Sequence, residues 1–284
     1  MIEVKGLSYR YKKARDSTLN DVNFHVKKGE IFGFLGPSGA GKSTTQKIMI
    51  GLLSDYQGTV KINGQEMKQK SKDFYEQIGV AFEFPNFYHK LTGLENINLF
   101  KGLYKRKTTD AMSLLKQVDL EDAASLRFHK YSKGMKMRLN FCRALLNDPE
   151  ILFLDEPTSG LDPNNSRRLK DIMLQKKDEG KTIILTTHHM HLAEELCDRV
   201  AFMVDGKIAL IDTPDKLKRE NTSKQVIVEY MEGQIIKIAI FDLHSLASNV
   251  HFQQLLRSKE ILSIHTKERT LEEVFLEVTG RSLR

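Results

Sequence analysis

A glycine-rich segment at residues 36–43 constrains the fold of this chain more than any other feature of the sequence. It reads Gly-Pro-Ser-Gly-Ala-Gly-Lys-Ser and matches the pattern G-x-x-x-x-G-K-[ST]. A short apolar run at 31–35 precedes it and good helix formers follow from 42 to 53, which predicts a buried strand, a loop and a helix in that order. In that context the pattern indicates a loop that binds the phosphates of a nucleotide.

The residue types of this phosphate loop fit phosphate chemistry. Glycines let backbone N–H groups wrap the β- and γ-phosphates, and the helix start adds a favourable dipole. Lys42 is predicted to reach the terminal phosphates and to assist catalysis, and Ser43 offers a hydroxyl to Mg²⁺. The predicted nucleotide-binding residues of the loop are Gly36, Pro37, Ser38, Gly39, Ala40, Gly41, Lys42, Ser43 and Thr44.

Residues 151–156 are predicted to supply the second half of the site. They read Ile-Leu-Phe-Leu-Asp-Glu, an apolar strand with two carboxylates at its carboxyl end, where open α/β sheets bind their ligands. Asp155 is expected to hold Mg²⁺, and Glu156 to orient and polarise the water that attacks the γ-phosphorus. The alternative is an acidic pair that starts a helix. We favour the site because the phosphate loop requires a metal partner from another strand.

Strand and helix patterns alternate along the chain and predict a mainly parallel α/β sheet. Residues 86–147 have a helical pattern throughout, which we interpret as a helical insertion. After a predicted linker at 218–224, strand and helix patterns return and predict a small C-terminal α+β domain. We therefore divide the chain into a large nucleotide-binding domain at 1–217 and an accessory domain at 218–284. The predicted strands are 22–26, 31–35, 59–62, 78–84, 151–154, 182–187, 200–204, 226–230 and 235–241, and helices are predicted at 166–178, 190–196, 246–257 and 271–278.

The composition is that of an ordinary globular protein. With 40% hydrophobic and 29% charged residues it excludes a disordered chain, a collagen-like fibre and a coiled coil. The longest apolar runs fall far short of the roughly 18 to 20 residues that cross a bilayer, and the N-terminus lacks the pattern of a secretory signal. Cys142 and Cys197 have no metal-ligand spacing and are expected to be reduced. The net charge of +7 favours phosphates, nucleic acid or anionic lipid without choosing among them.

Residues 131–139 carry a family resemblance. They read Tyr-Ser-Lys-Gly-Met-Lys-Met-Arg-Leu and resemble the signature segment of ATP-binding cassette (ABC) ATPases, Leu-Ser-Gly-Gly-Gln. Ser132 and Gly134 match, whereas Tyr131, Lys133 and Met135 depart in a form similar to that of the drug-export branch. The resemblance implies a P-loop NTPase core with a β-rich N-terminal part, ATP and Mg²⁺ as cofactors, and ATP hydrolysis that powers transport, most simply export.

Further segments follow in the order of that family. Residues 159–162 read Ser-Gly-Leu-Asp and resemble the D-loop, which makes Asp162 a candidate nucleotide contact. Thr186-Thr187-His188 ends a predicted strand as the family's switch histidine does, so His188 is assigned a catalytic role. We interpret His189 and His191 as surface helix residues and not as metal ligands.

Two assignments near the nucleotide rest on the resemblance and keep an alternative. Tyr11 occupies the place of the aromatic residue that stacks on adenine, with Tyr9 as the fallback. Glu83 stands where the family usually has a glutamine. Its carboxylate can give an oxygen to Mg²⁺ but lacks the N–H of an amide. Contact with the metal could therefore survive, whereas the hydrogen bonds that a glutamine N–H donates to water or backbone must be rearranged. The alternative is that the true position is displaced and Glu83 is a surface acid.

The resemblance also implies partners. Family members bury ATP between the phosphate loop of one cassette and the signature segment of another, and this sequence has one of each. A second ABC ATPase subunit, most simply an identical copy, is therefore expected, together with separate transmembrane permease subunits on the cytoplasmic face of the cell membrane. The helical insertion and the aromatic residues Phe84, Phe87 and Tyr88 are candidates for docking the permease, and core packing is the alternative for these aromatics.

Two other functions compete with transport. A soluble ABC ATPase that acts on ribosomes or nucleic acid would use the basic charge, but such proteins usually fuse two cassettes or carry a long coiled-coil insertion, and no nucleic-acid partner is expected here. A P-loop kinase would leave Ser132 and His188 without a role. Residues 270–280 are similar to the closing helix of drug-export ATPase subunits, although periodicity alone predicts only an amphipathic helix.

Overall fold

The computed structural model describes residues 1–219, 225–266 and 269–280, in three sheets and nine α-helices. The strands are β1 (Ile2–Tyr9), β2 (Leu19–Val26), β3 (Ile31–Leu35), β4 (Gln57–Ile62), β5 (Gln65–Glu66), β6 (Ile78–Ala81), β7 (Ile151–Asp155), β8 (Thr182–Thr187), β9 (Arg199–Val204), β10 (Lys207–Asp212), β11 (Gln225–Glu232), β12 (Ile235–Asp242) and β13 (Glu260–Thr266). The helices are α1 (Lys42–Met49), α2 (Gly93–Lys101), α3 (Ala111–Gln117), α4 (Lys133–Leu145), α5 (Pro163–Asp178), α6 (Met190–Leu196), α7 (Pro214–Arg219), α8 (Val250–Ser258) and α9 (Leu271–Thr279).

The central sheet positions the site. Its order is β10-β9-β3-β8-β7-β6, and all neighbouring strands are parallel except the edge pair β10 and β9. Strands β3, β7 and β8 are buried along their whole length, as expected of a parallel sheet covered on both faces. Because these three strands are adjacent and run in the same direction, the residues that follow them meet at one edge of the sheet.

An antiparallel sheet in the order β2-β1-β4-β5 covers one face of the central sheet. Side chains of β1, β2 and β4 form one apolar core with Phe32, Phe34 and Phe153 of the central sheet. The predicted β-rich N-terminal part is thus present.

The other face of the central sheet packs against helices. Helices α2, α3 and α4 occupy the predicted insertion at 86–147. Within it, Thr92 and Arg127 form an isolated β-bridge. No helix among the described residues is both long enough and apolar enough to cross a bilayer.

The C-terminal part contains a three-stranded antiparallel sheet and two helices. The sheet has the order β12-β11-β13 and shares a small core with α8, built on Val226, Val228, Phe241 and Leu255. Helix α9 belongs elsewhere, because its buried residues pack, together with α6 and α7, into the core between the central sheet and the helices on its second face. The chain therefore leaves the core of the central sheet after α7 and returns to it at α9. The division of the chain at 217/218 stays a prediction.

Replacing Phe275 in α9 by alanine is expected to lower the free energy of unfolding by about 3 to 5 kcal/mol, the usual cost of deleting a buried phenylalanine. Its side chain is fully buried, and its ring meets that of Phe202 in β9 edge to face, with 5.2 Å between centroids. Urea unfolding measures the change. The matched control is Leu276→Ala at the next position, which is 41% exposed and should change the value by less than about 0.5 kcal/mol. Equal effects would show that α9 is not part of the core.

The structure also contains strands that the sequence patterns did not predict. These are β1, β10, β13 and the two-residue β5. In β1 the alternation is broken at Gly6, which has a φ of 62° and lies where the register with β2 and β4 shifts. Strand β6 ends at Ala81 and not at residue 84, and of the predicted linker at 218–224, Lys218 and Arg219 belong to α7 while 220–224 lie outside the described residues.

Candidate active site

The phosphate loop joins β3 to α1 as predicted, and its backbone shape requires glycine. Gly36 has a φ of 155°, and a Cβ at this position would lie 2.1 Å from the carbonyl oxygen of Met203 in β9. Gly41 has a φ of 105°, and a Cβ there would lie 2.6 Å from the side chain of Leu19. The loop is therefore pressed against its neighbours, and the free N–H groups at the start of α1 are available to an anion.

Lys42 is the charged residue at the base of the loop. Its side chain is buried and its Nζ donates hydrogen bonds to the carbonyl oxygens of Gly36 (2.6 Å) and Pro37 (2.8 Å). Burial lowers the pKa of Lys42, and the nearby carboxylates of Glu156, Asp155 and Glu83 oppose that shift. The ammonium is thus held among acceptors that a phosphate can replace.

Asp155, at the end of β7, meets Ser43 from α1. The Ser43 hydroxyl donates to Asp155 Oδ1 at 3.3 Å, and the Thr186 hydroxyl of β8 donates to the same oxygen. Burial raises the pKa of Asp155, and these two hydrogen bonds oppose the shift. A hydroxyl and a carboxylate side by side form a hard-oxygen donor set of the kind that Mg²⁺ prefers, so the residues present fit this ion.

Glu156 follows in a left-handed backbone conformation with a φ of 48°, which costs a residue other than glycine about 1 to 3 kcal/mol. Hydrogen bonds from its N–H to Thr186 and from the Ser159 N–H to its carbonyl hold this conformation. The side chain is buried, and its Oε2 accepts from the Thr187 hydroxyl at 3.0 Å. The backbone therefore points the carboxylate along the end of β8.

His188, directly after β8, gives two hydrogen bonds to Glu156 Oε1. Its backbone N–H donates at 2.9 Å and its Nδ1 lies 2.7 Å away. Since an ionised carboxylate only accepts, Nδ1 carries a proton in this arrangement. A carboxylate has about four acceptor positions, and residues within the described ranges use three of them, which leaves one on Oε2 for a water molecule.

These residues line one cleft of about 430 Å³. Its lining residues are Thr18, Ser38, Gly39, Ala40, Gly41, Lys42, Ser43, Thr44, Glu83, Asp155, Glu156 and His188. The loop, the acidic strand end, Glu83 and the predicted switch histidine, which sequence reasoning placed in one site, thus lie together. Thr18 and the hydroxyls of Thr186 and Thr187 were not predicted. The threonine pair before His188 is the signal that could have revealed the latter two.

The two tyrosines are placed differently. Tyr11 is 37% exposed, and its hydroxyl lies 3.2 Å from that of Thr44 at the start of α1. Tyr9 is buried in the N-terminal core, where its ring meets that of Tyr11 edge to face. Tyr11 does not belong to the lining of the cleft, so its stacking on adenine stays a prediction, and Tyr9 supports its ring from the core.

Ser132, Gly134 and Asp162 do not line the cleft of this chain but lie near one another. Ser132 begins α4 and its hydroxyl accepts from the N–H of Met135. A Cβ on Gly134 would lie 3.5 Å from the side chain of Leu161 and 3.7 Å from the Gly160 carbonyl oxygen, so the segment packs against the residues before Asp162. Asp162 begins α5, and hydrogen bonds from the Asn165 N–H and side-chain amide lower its pKa.

The remaining predicted residues are divided between surface and core. His189 and His191 are exposed, and His191 pairs with Glu195 one turn along α6. Phe84 and Tyr88 are exposed, whereas Phe87 is buried among the aromatics of the insertion, so for Phe87 the core alternative holds. Cys142 and Cys197 are free and buried, and burial raises the pKa of both thiols.

Comparison with known proteins decides the family. The chain is 52% identical over 284 residues to a fluoroquinolones export ATP-binding protein of Mycobacterium tuberculosis (strain H37Rv), an alignment that covers 100% of the chain and 94% of that protein. The chain belongs to the ABC transporter ATP-binding family. Residues 19–159 match the protein family described as "ABC transporter". Residues 224–268 match the family described as "Fluoroquinolone efflux ABC transporter C-terminal domain".

Other relatives of this ABC ATPase agree. Nod factor export ATP-binding protein I of Bradyrhizobium diazoefficiens is 35% identical over 283 residues, with 93% of the chain and 92% of that protein covered. A dimeric ATP-binding cassette in a post-hydrolysis state, bound to ADP and Pi, is 28% identical with a TM-score of 0.69, and the match covers 75% of this chain and 98% of that one.

These matches confirm the resemblance to the drug-export branch and the P-loop ABC fold. The protein is an ATP-binding and ATP-hydrolysing subunit of an ABC transporter. The alternative of a factor that acts on ribosomes or nucleic acid gains no support from them.

Proposed function

We propose that two copies of this ABC ATPase bind MgATP between them at the cytoplasmic face of the membrane, and that hydrolysis at Glu156 powers the export of a drug of the fluoroquinolone class by separate membrane subunits. One observation carries the two-copy arrangement. The cleft holds the phosphate loop, Asp155, Glu156 and His188, whereas Ser132, Gly134 and Asp162 lie outside its lining and close to one another. A second copy in a two-fold dimer can bring that group to the mouth of the cleft.

On the cleft side, the loop residues 36–44 would cradle the phosphates of ATP, with Lys42 released from its carbonyl partners to bind the terminal phosphates. Tyr11 would stack on the adenine. Ser43 and Asp155 would hold Mg²⁺, with Glu83 as a further oxygen donor from the cleft wall. Mg²⁺, when bound, would neutralise charge on the phosphates.

Hydrolysis needs a group that takes a proton from water. The open acceptor position on Glu156 Oε2 beside the cleft supports Glu156 in this role. As the water oxygen bonds to the γ-phosphorus, the bond from that phosphorus to the ADP oxygen breaks and the carboxylate accepts the proton. His188 would keep Glu156 oriented through its two hydrogen bonds and report the state of the terminal phosphate.

On the opposite side, Ser132, the N–H groups near Gly134 and Asp162 of the second copy would complete the site. Contact with the γ-phosphate would hold the dimer closed, and its cleavage would release the contact. This arrangement turns the chemical step into a movement of two subunits.

The movement has a structural route toward the membrane subunits. Asn140 of α4 donates from its side chain to the carbonyl oxygen of Phe82 at 2.7 Å, directly before Glu83. Arg143 of the same helix donates to the carbonyl oxygen of Asn86. The helical insertion thus holds both ends of the 83–86 segment, and Phe84 and Tyr88 stand exposed beside it. We assign the permease contact to this region.

The fluoroquinolone class rests on the likeness to the mycobacterial export protein, which extends through the C-terminal domain. Co-expression of the chain with a multi-span membrane protein that co-purifies with it in detergent, in a fluoroquinolone-sensitive bacterium, should lower the amount of drug retained by the cells. The same pair with Lys42→Ala is the matched control and should not lower it. Equal retention with both chains, when the wild-type complex hydrolyses ATP, would contradict the proposed substrate class.

A further inference from the structure

Two imidazoles and one carboxylate converge beside the cleft, and one of them, the His189 imidazole, has no role in the hydrolysis proposed above. Glu156, His188 and His189 each offer one ligand atom, and all these atoms lie within 4.8 Å of one another. The two histidine rings lie with their centroids 4.1 Å apart. The sequence interpretation of His189 as a surface residue is right about its exposure but could not show that it stands next to Glu156.

This set of donors has a known preference among metals. Two imidazole nitrogens and a carboxylate oxygen suit Zn²⁺, which takes them with one further position left to water. Mg²⁺ prefers oxygen donors alone, so the histidine pair does not compete for the ion expected at Ser43 and Asp155. We propose that the nucleotide-free chain binds one Zn²⁺ ion through Glu156, His188 and His189, and that the bound ion blocks ATP hydrolysis.

The supporting structure is already organised around these ligands. Glu156 is held by its backbone and by the Thr187 hydroxyl, and that same hydroxyl oxygen accepts from the N–H of His189 at 3.0 Å. Ligand atoms in a tetrahedral zinc site with bonds of about 2.0 to 2.1 Å lie roughly 3.4 Å apart. Both histidines are exposed, so rotation of their rings can bring the nitrogens to that separation.

Inhibition follows from the position of the ligands. A zinc ion on Glu156 would occupy the carboxylate that accepts the water proton, and it would hold His188 away from its role beside that carboxylate. Hydrolysis would stop although Lys42 and the phosphate loop stay unaltered. This inference rests on the role proposed for Glu156 but not on the transported substance or on dimer formation.

The test titrates Zn²⁺ into the tag-free, chelator-treated full chain without nucleotide, by calorimetry in a buffer that does not bind metals. The wild-type chain should bind one ion. His189→Gln should bind it at least about tenfold more weakly, because removing even a residue that only supports a metal ligand lowers metal affinity by about 10- to 100-fold. His191→Gln is the matched control, because this exposed histidine lies two residues after His189 and pairs with Glu195. It should bind as the wild type does.

A second readout follows ATP hydrolysis with Mg²⁺ in excess. Zinc should inhibit the wild type and His191→Gln, while His189→Gln should keep its zinc-free turnover and resist inhibition. The buried thiols of Cys142 and Cys197 are not accessible competitors for the ion. Equal zinc affinity of the wild type and His189→Gln would overturn the site, and so would an equal loss in both histidine variants. Wild-type binding without inhibition would overturn the blocking role, and loss of zinc-free turnover in His189→Gln would place His189 in the hydrolytic machinery instead.

Discussion

Glu156→Gln is expected to lower the turnover for ATP by about 10²- to 10⁴-fold while the chain still binds MgATP, because the substitution removes a general base without removing its hydrogen bonds. The glutamine amide can accept from His188 through its oxygen and donate to the Thr187 hydroxyl, which can rotate to accept. The phosphate loop and Asp155 are untouched. Steady-state phosphate release measures turnover, and equilibrium binding of a fluorescent ATP analogue measures affinity.

Glu179→Gln is the matched control for this experiment. Glu179 lies at the exposed C-terminal end of α5 and pairs there with Lys176, so the same chemical change should leave turnover near the wild-type value. Wild-type turnover in Glu156→Gln would remove this residue from the role of base. A loss of MgATP binding together with activity would instead point to a structural role of its left-handed backbone.

Mixing two inactive variants, Ser132→Arg and Lys42→Ala, is expected to restore hydrolysis. Each variant alone spoils every site of its own dimer, since a site needs the phosphate loop of one copy and the signature serine of the other. In a mixed dimer the intact loop of the first variant faces the intact Ser132 of the second, and one site of the two is whole. Random pairing predicts about a quarter of the wild-type activity at equal total concentration, given two-fold symmetric dimers.

The control replaces Ser132→Arg by the double variant Ser132→Arg, Lys42→Ala. Mixed with Lys42→Ala it offers no intact phosphate loop, so activity should stay at the level of the separate proteins. If the first mixture is also no more active than its components, catalysis does not occur across an interface, and the packing of Gly134 against Leu161 has a purely structural role.

The sequence predicts well those features that local patterns determine. The buried runs of β3, β7 and β8 and the glycines at 36, 39 and 41 specify where the phosphate loop and Asp155 lie, and the structure brings them into one cleft. Strand β1 was not predicted because a bulge at Gly6 interrupts its alternation. Such a break is visible only once the neighbouring strands supply the register.

Other features depend on contacts that a pattern does not contain. Glu156 precedes Pro157, which favours an extended backbone, yet its φ is positive because its N–H and carbonyl bond to Thr186 and Ser159. The sequence left Glu83 open between a place in the site and a place on the surface, and in the structure this residue is exposed and also lines the cleft, so its role as a metal ligand stays a prediction. The proximity of His189 to Glu156 likewise arises from the meeting of two distant strand ends.

Helix α9 gives the gene a constraint that its domain pattern hides. A stop codon anywhere between α7 and α9 would delete Leu271, Val274 and Phe275. Their loss would leave an apolar cavity in the core of the catalytic part of the protein. Shortening the reading frame from its 3′ end therefore destabilises the catalytic part as well. An in-frame deletion of β11 to β13 that joins α7 to α9 would remove the accessory sheet and keep the buried residues of α9 in the core.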